Sequence, residues 1–322
     1  MKGILFYIKI EKDSRFLRKM ASQLSLLRLT LQRNKADISL YFSDNPKWIK
    51  DLPEPPPIDR RISILGPWNY RSRDENLLIL NFGISELSKG IIDIAKREIR
   101  FFIAFCPVDE SDFINNFLKF IMSSIALLLA YHSTYFLHSS AVANKKGNAV
   151  LFVGSAGSGK TTLLKGLVKQ GCRWIENDRV FLKATNNKIW TVPIFRRGGL
   201  TIYNQIGKYC DSSYSKHLEL IPVSKSQYIQ KGVNVKSVIF PSINHSNRTK
   251  LTELSKNDAL DMLKAFLNPI YLKQGGGVMT RNYQDWVSAF IKSCSFYKLE
   301  CGKDVKRNSS GVYKILTSSG VV

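Results

Sequence analysis

Carboxylates are scarce in this chain. Its 322 residues hold 25 Asp and Glu against 48 Lys and Arg, a formal charge of +23. Net charge informs on association rather than on fold. It leaves nucleic acid, an acidic peptide, a membrane surface or a phosphate-rich ligand open as partners, with compositional bias as the plain alternative. Cysteine is sparse as well. Cys106, Cys172, Cys210, Cys294 and Cys301 are odd in number and form no C-x-x-C, which argues against a disulfide framework and a zinc ribbon. His132, His138, His217 and His245 are scattered, which argues against a histidine metal cluster. The pattern fits a reducing, cytoplasmic setting.

Long apolar runs are missing too. The most apolar stretch, residues 120–131, is shorter than a bilayer crossing requires, and Lys119, Ser123 and Ser124 interrupt it. A buried helix is expected there instead. The N-terminus, Met1-Lys-Gly-Ile-Leu-Phe-Tyr-Ile, lacks a signal peptide's apolar core and small-residue cleavage site. No membrane span is expected, and no internal repeat or low-complexity tract is visible.

What is present is globular. A hydrophobic share of 44% and an aromatic share of 11% can build a sizeable core. Residues 4–10 read as a strand. Asp13 or Ser14 then caps a helix whose stripe is Phe16, Leu17, Met20, Leu24, Leu27 and Leu31, with basic residues on the other face. Such a helix suits either core packing or an acidic or membrane partner. The segment Leu52-Pro-Glu-Pro-Pro-Pro57 is a stiff connector. Strands are expected at 77–82 and 98–105, flanking 84–95, and Ser111 opens a long helix to about Tyr131. The expected organisation is an α/β chain. A smaller α+β domain over 1–110 precedes a nucleotide-binding domain over 111–322 with a mixed sheet.

From Thr134 onward the texture changes. Phe136-Leu-His-Ser-Ser-Ala-Val-Ala143 is strand-like, Asn144 to Asn148 is a turn, and Ala149-Val-Leu-Phe-Val153 reads as a buried strand. Then comes Gly154-Ser155-Ala156-Gly157-Ser158-Gly159-Lys160-Thr161, which fits G-x-x-x-x-G-K-[ST] at every fixed position. It follows an apolar strand and opens a helix over about 160–170, with Thr162 in its first turn and Gly171 at its cap. Backbone N–H groups of such a loop face phosphate oxygens, and the helix N-terminus adds its positive dipole end. Lys160 neutralises the β and γ phosphates, and Thr161 offers a hydroxyl to Mg²⁺. A nucleoside triphosphate, with ATP and Mg²⁺ as the expected pair, is therefore the ligand; ATP, GTP and pyrophosphate donors are not distinguished by the loop.

Further strands are expected at 173–176, 179–183, 188–194 and 235–240, with helices at 257–266 and 283–293. If the strand ending in Glu176 lies beside the P-loop strand, Asp178 reaches the sheet's carboxyl edge, where α/β proteins place ligands. A carboxylate there can ligate Mg²⁺ or take a proton from an attacking hydroxyl. His138 lies one strand before the P-loop strand, and a hairpin brings it to the phosphate end. Gln274-Gly-Gly-Gly-Val-Met-Thr-Arg281-Asn282 reads as a second glycine-rich loop, either a flexible connector or a cover that brings Arg281 to transferred charge.

His138-Ser-Ser-Ala, Val150-Leu-Phe-Val-Gly-Ser-Ala-Gly-Ser-Gly-Lys160-Thr-Thr-Leu and Gly171-Cys-Arg-Trp-Ile-Glu-Asn-Asp178-Arg-Val together resemble the HPr kinase/phosphorylase-like P-loop kinases. Looser likenesses follow at Val192-Pro-Ile-Phe-Arg-Arg-Gly-Gly-Leu200, at 235–241 and at Cys294-Ser-Phe-Tyr-Lys-Leu-Glu-Cys-Gly302, so the resemblance spans about residues 111–304. It implies transfer of the γ-phosphate to a hydroxyl, with Lys160, Asp178 and His138 as catalytic candidates and Thr161 and Asp178 as metal ligands. The chain departs from the family where the acidic pair becomes Asn177-Asp178 and where Arg196 and Arg197 stand near an expected glutamate. Asp178 is then base or metal ligand with Asn177 as a neutral donor, or the activity is altered. The N-terminal part does not resemble the bifunctional HPr enzymes. A serine of a peptide, as in lasso-peptide tailoring kinases, or a small metabolite is the expected acceptor. Two rivals are an ATPase or nucleotide switch acting on a partner, and a nucleic-acid-binding module using the charge. No L-S-G-G-Q-like or RNP1-like motif supports an ABC ATPase or an RNA platform.

Overall fold

The computed structural model describes residues 2–11, 24, 27–43, 77–81, 88–103, 110–177, 179–194, 225–244, 246–267, 276–304 and 309–322. The chain divides into two compact units, residues 4–132 with 273–279, and residues 1–3 with 133–272 and 280–322. The division falls after His132, so the long helix counts with the first unit; the sequence reading had it open the second domain. Both units are mixed α/β.

The first unit is built on a five-stranded sheet: β1 (Phe6–Glu11), β2 (Ile38–Ser43), β3 (Leu77–Asn81), β4 (Ser88–Asp93) and β5 (Glu98–Ile103), ordered β1-β2-β5-β4-β3. β1, β2 and β5 run parallel, while β5-β4-β3 is an antiparallel meander. Alternation in β2 sends Ile38, Leu40 and Phe42 inward, where Phe42 stacks on Phe101 at 5.0 Å. Helix α1 (Glu110–Tyr131) adds Phe120, which meets Phe101 edge-on at 5.4 Å, together with buried Ile121, Ile125 and Leu128. No helix among the described residues is long and apolar enough to cross a membrane.

Strand β2 was not anticipated, and β4 occupies part of 84–95. The leucine stripe was extended too far. Leu24 is helical, but Leu27 and Leu29 lie in β-bridges and Leu31 is 98% exposed. The reason is local competition: Phe6 N–H donates to Arg28 O at 2.8 Å and Thr30 N–H to Phe6 O at 2.9 Å, so β1 takes the backbone partners a longer helix would need. The cap at Asp13 or Ser14, the rest of that helix, the connector 52–57, Cys106, Cys210, His217 and His245 lie outside the described residues.

The second unit holds a nine-stranded mixed sheet. Its strands are β6 (Thr134–Leu137), β7 (Ser139–Ala143), β8 (Ala149–Val153), β9 (Arg173–Glu176), β10 (Val180–Thr185), β11 (Lys188–Thr191), β12 (Asn234–Ile243), β13 (Lys250–Glu253) and β14 (Ser295–Cys301). Seven follow the order β6-β10-β11-β12-β8-β7-β9, and β14 pairs with both β12 and β13. Its helices are α2 (Lys160–Lys169), α3 (Lys256–Lys264), α4 (Gly276–Ser293, counted here from Thr280 on) and α5 (Ser309–Ser318). All five residues of β8 are buried, as its unbroken apolar sequence requires. Leu163, Leu164 and Leu167 of α2 share a core cluster with Val142, Phe152, Trp174 and, from α5, Val312 and Leu316. Ser255 caps α3 by accepting the Asp258 N–H. Cys172, Cys294 and Cys301 are free and buried; burial pushes each thiol up to about 11.

Candidate nucleotide-phosphate site

The P-loop leaves the carboxyl end of β8 and enters α2, and its glycines are demanded by geometry. Gly157 and Gly159 have φ of +82° and +94°, conformations that side chains resist. A Cβ on Gly154 would sit 2.7 Å from the Ser158 hydroxyl, so the loop closes too tightly for one. Gly159 is the helix N-cap and supplies no side-chain cap; a phosphate can answer the first N–H groups of α2. At the other end, Gly171 N–H donates to Val168 O and Cys172 N–H to Leu167 O, a Schellman closure on a positive-φ glycine.

Lys160 is buried, and its ammonium folds back over the loop, donating to Gly154 O at 2.7 Å and Ser155 O at 2.8 Å. These backbone carbonyls orient the charge at the loop's mouth. Among the described residues, Ser158 Oγ is buried with no hydrogen-bond partner, an unmet polar group inside the loop itself.

Beside the loop, one strand pair passes the whole site. β6 pairs antiparallel with β10 and β7 with β9, and the offset at Leu137↔Val180 is the same as at Ala141↔Glu176. The two ladders thus share one register as far as Ala141, where an irregularity shifts β7 against β9 by one residue. On that register His138 falls opposite Arg179 and Ser140 opposite Asn177. The strand expected over 136–143 is accordingly broken at His138, because its first half pairs with β10 and its second with β8 and β9. His138 is half-buried and lies next to Ser139, the partner of Val153 at the last rung before the loop. The hairpin thus carries it to the end of β8 from which the glycine-rich loop leaves.

The strand ending in Glu176 does not neighbour β8, since β7 lies between them. Both antiparallel steps cancel, so β8 and β9 point the same way and Glu176 still ends at the P-loop edge. There Asn177, buried, accepts from Ser140 Oγ at 2.6 Å and from Thr161 Oγ1 at 3.1 Å, both on Oδ1. Its own N–H donates to Glu176 Oε1 at 2.9 Å. Asn177 was expected as a neutral donor; its side chain is instead the shared acceptor of two hydroxyls. Ser140 carried no assigned role in the sequence, and its only signal was its place in His138-Ser-Ser-Ala. Asp178, Arg196 and Arg197 lie outside the described residues.

Arg281 is exposed on α4, and among the described residues no hydrogen bond or ion pair joins it to the P-loop. The glycine-rich loop expected over 274–282 is a correction: the helix already runs from Gly276. Buried Tyr283, Trp286 and Phe290, at helical spacing, anchor it; Tyr283 stacks on Trp286 at 5.7 Å. Gln274 and Gly275 lie outside the described residues.

For a divalent cation, the Thr161 hydroxyl is a hard oxygen donor of the type Mg²⁺ takes alongside water and phosphate. Among the described residues no group of three or more His, Cys, Asp and Glu could hold a metal without further ligands.

No protein-family model matches the chain, and no curated protein matches it in sequence. A solved structure, the HPr(Ser) kinase/phosphatase from Coxiella burnetii, is similar at 14% identity and a TM-score of 0.31, over 57% of this chain and 98% of that one. Likeness at that level carries no argument about activity.

Proposed function

We propose that the second unit binds ATP as its Mg²⁺ complex and transfers the γ-phosphate to a hydroxyl of a peptide or small metabolite. The observation that carries this is the P-loop with Lys160 buried in its mouth and Thr161 hydrogen-bonded to the chain just past β9. In this reading the loop amides and Lys160 hold the phosphates in place. When bound, Mg²⁺ supplies charge neutralisation on the phosphate oxygens, with Thr161 and Asp178 as its protein ligands. The acceptor oxygen bonds to the γ-phosphorus as the bond to the bridging oxygen breaks, leaving ADP. The acceptor's proton goes to Asp178, and His138, at the interrupted ladder, supports that base or the γ-phosphate. The charge of +23 favours an acidic acceptor.

The test is transfer of labelled γ-phosphate from ATP with Mg²⁺ into peptide and metabolite pools, comparing wild type with Lys160→Ala and Asp178→Asn. Label in a discrete acceptor, lost by about 100-fold or more in both variants, is the expected result. Free phosphate released without an acceptor would instead favour an ATPase or switch.

A further inference from the structure

The sharing of one amide oxygen by two hydroxyls sets what Thr161 can do. A threonine hydroxyl has one hydrogen and two acceptor lone pairs. At 3.1 Å from Asn177 Oδ1 the Thr161 hydrogen is directed to the amide, so its lone pairs remain for a cation. Asn177 Oδ1 also has two lone pairs, and Ser140 Oγ takes the other at 2.6 Å. Ser140 thereby ties the Asn177 side chain to β7 and holds its oxygen within reach of Thr161. The three residues come from three elements, β7, the chain beyond β9 and α2, and Asn177 and Ser140 are both buried. Glu176, the adjacent buried carboxylate, is engaged through Oε1 with the Asn177 N–H. The group that accepts the Thr161 hydrogen is therefore an amide oxygen.

We propose that Ser140 and Asn177 are a positioning pair that orients the Thr161 hydroxyl, directing its hydrogen to the amide so that its lone pairs face the cation of a bound metal–triphosphate. The proposal rests on the nucleotide-binding reading of the P-loop. The amide at position 177 contributes orientation, while the charge that holds the cation comes from the phosphates and Asp178.

The test uses the full chain, ATP binding by calorimetry with and without Mg²⁺, and Mn²⁺ binding followed by its electron paramagnetic resonance signal. Wild type is expected to bind Mn²⁺ more tightly once ATP is added. Ser140→Ala and Asn177→Ala should each shrink the tightening of ATP by Mg²⁺ about tenfold, as loss of a group that orients a metal ligand does, with metal-free ATP affinity changed less than about twofold. Ser140→Thr, which keeps the hydroxyl, should restore the Mg²⁺ effect, and Asn177→Asp, which keeps an acceptor oxygen for both hydroxyls, should retain it. The alanine variants keeping the full Mg²⁺ effect would overturn the pair's role. A wild type that binds no ATP under either condition would overturn the nucleotide reading itself, and the pair's role with it.

Discussion

Two buried polar groups at strand ends, Glu98 in the first unit and Asn177 in the second, solve the same problem in opposite ways. Glu98 opens β5 and is met by two guanidiniums, Arg33 through Oε1 and Arg100 through Oε2 at 3.3 Å. Arg33 also lies over the Tyr41 ring at 5.7 Å, and its hydrogen bond to Glu98 raises it above its ordinary value. The carboxylate there is answered from within the chain. Asn177 carries no charge, and its two partners are hydroxyls, one of them on the helix that begins with the P-loop lysine. A carboxylate matched by cations stabilises a fold and has little left to offer a ligand. A neutral acceptor shared by hydroxyls leaves oxygen lone pairs for something not yet bound.

The comparison breaks if the two clusters respond alike to mutation. Lys160→Ala should weaken ATP binding on the order of 100-fold, the worth of a hydrogen-bonded charge on phosphate, while thermal melting barely moves. Glu98→Gln should do the reverse: about 1 kcal/mol of stability lost, discounted because both guanidiniums are largely in water, and ATP affinity unchanged. Calorimetry and melting curves on the same preparations decide it. Glu98→Gln weakening ATP binding as strongly as Lys160→Ala would end the distinction.

A smaller effect separates the site from its own hairpin. Gly159 and Gly147 both hold positive φ, +94° and +80°, and neither has an atom within 4 Å of a built Cβ. Alanine at either should cost about 1–2 kcal/mol of backbone strain. Only Gly159→Ala should also weaken ATP binding, since that residue shapes the loop and Gly147 shapes a turn at the other end of β8. Equal ATP affinity in both variants would show that the loop's conformation is not what holds phosphate.

How much of this was legible in the sequence follows the range of the interactions involved. The P-loop, its strand and its helix were readable because every determinant lies within about twenty residues, from the apolar run of β8 to Gly171. Strand β2 escaped although its Ile38, Leu40 and Phe42 alternate, since the run is only six residues long, and β4, Ser-Lys-Gly-Ile-Ile-Asp, escaped because it carries no alternation. The polar edge strand β13, Lys-Leu-Thr-Glu, escaped because its mostly exposed residues give no buried alternation. The break at His138 could not be read from Phe-Leu-His-Ser-Ser-Ala, since it is imposed by which strands pair on either side. Ser140 and Asn177 meet across 37 residues, and only the register of the long ladder brings them together. The second glycine run was misread because local composition was weighed against the aromatic spacing of Tyr283, Trp286 and Phe290, and in the fold the spacing prevails.

The smallest effect sharpens the ionic side of the comparison. Burial pulls the Asp93 carboxyl upward, but hydrogen bonds from the Lys96 backbone and side chain, with the charges of Lys96 and Arg100, outweigh it and hold the carboxyl below its ordinary value. A lowered folded-state value means the carboxylate form stabilises the fold. That contribution is complete above the unfolded-state value of about 4 and fades as the pH falls through the folded-state value. Lys96 is largely exposed, so the contribution is under about 1 kcal/mol after solvent screening. Melting curves of wild type and Asp93→Asn taken between about pH 6 and pH 3 should therefore converge toward the acid end, with wild type the more stable above about pH 5. A gap that stays constant across that range would mean that Asp93 acts through the turn geometry it holds with Lys96 and not through its charge, and the first unit's acid response would then have to come from other carboxylates.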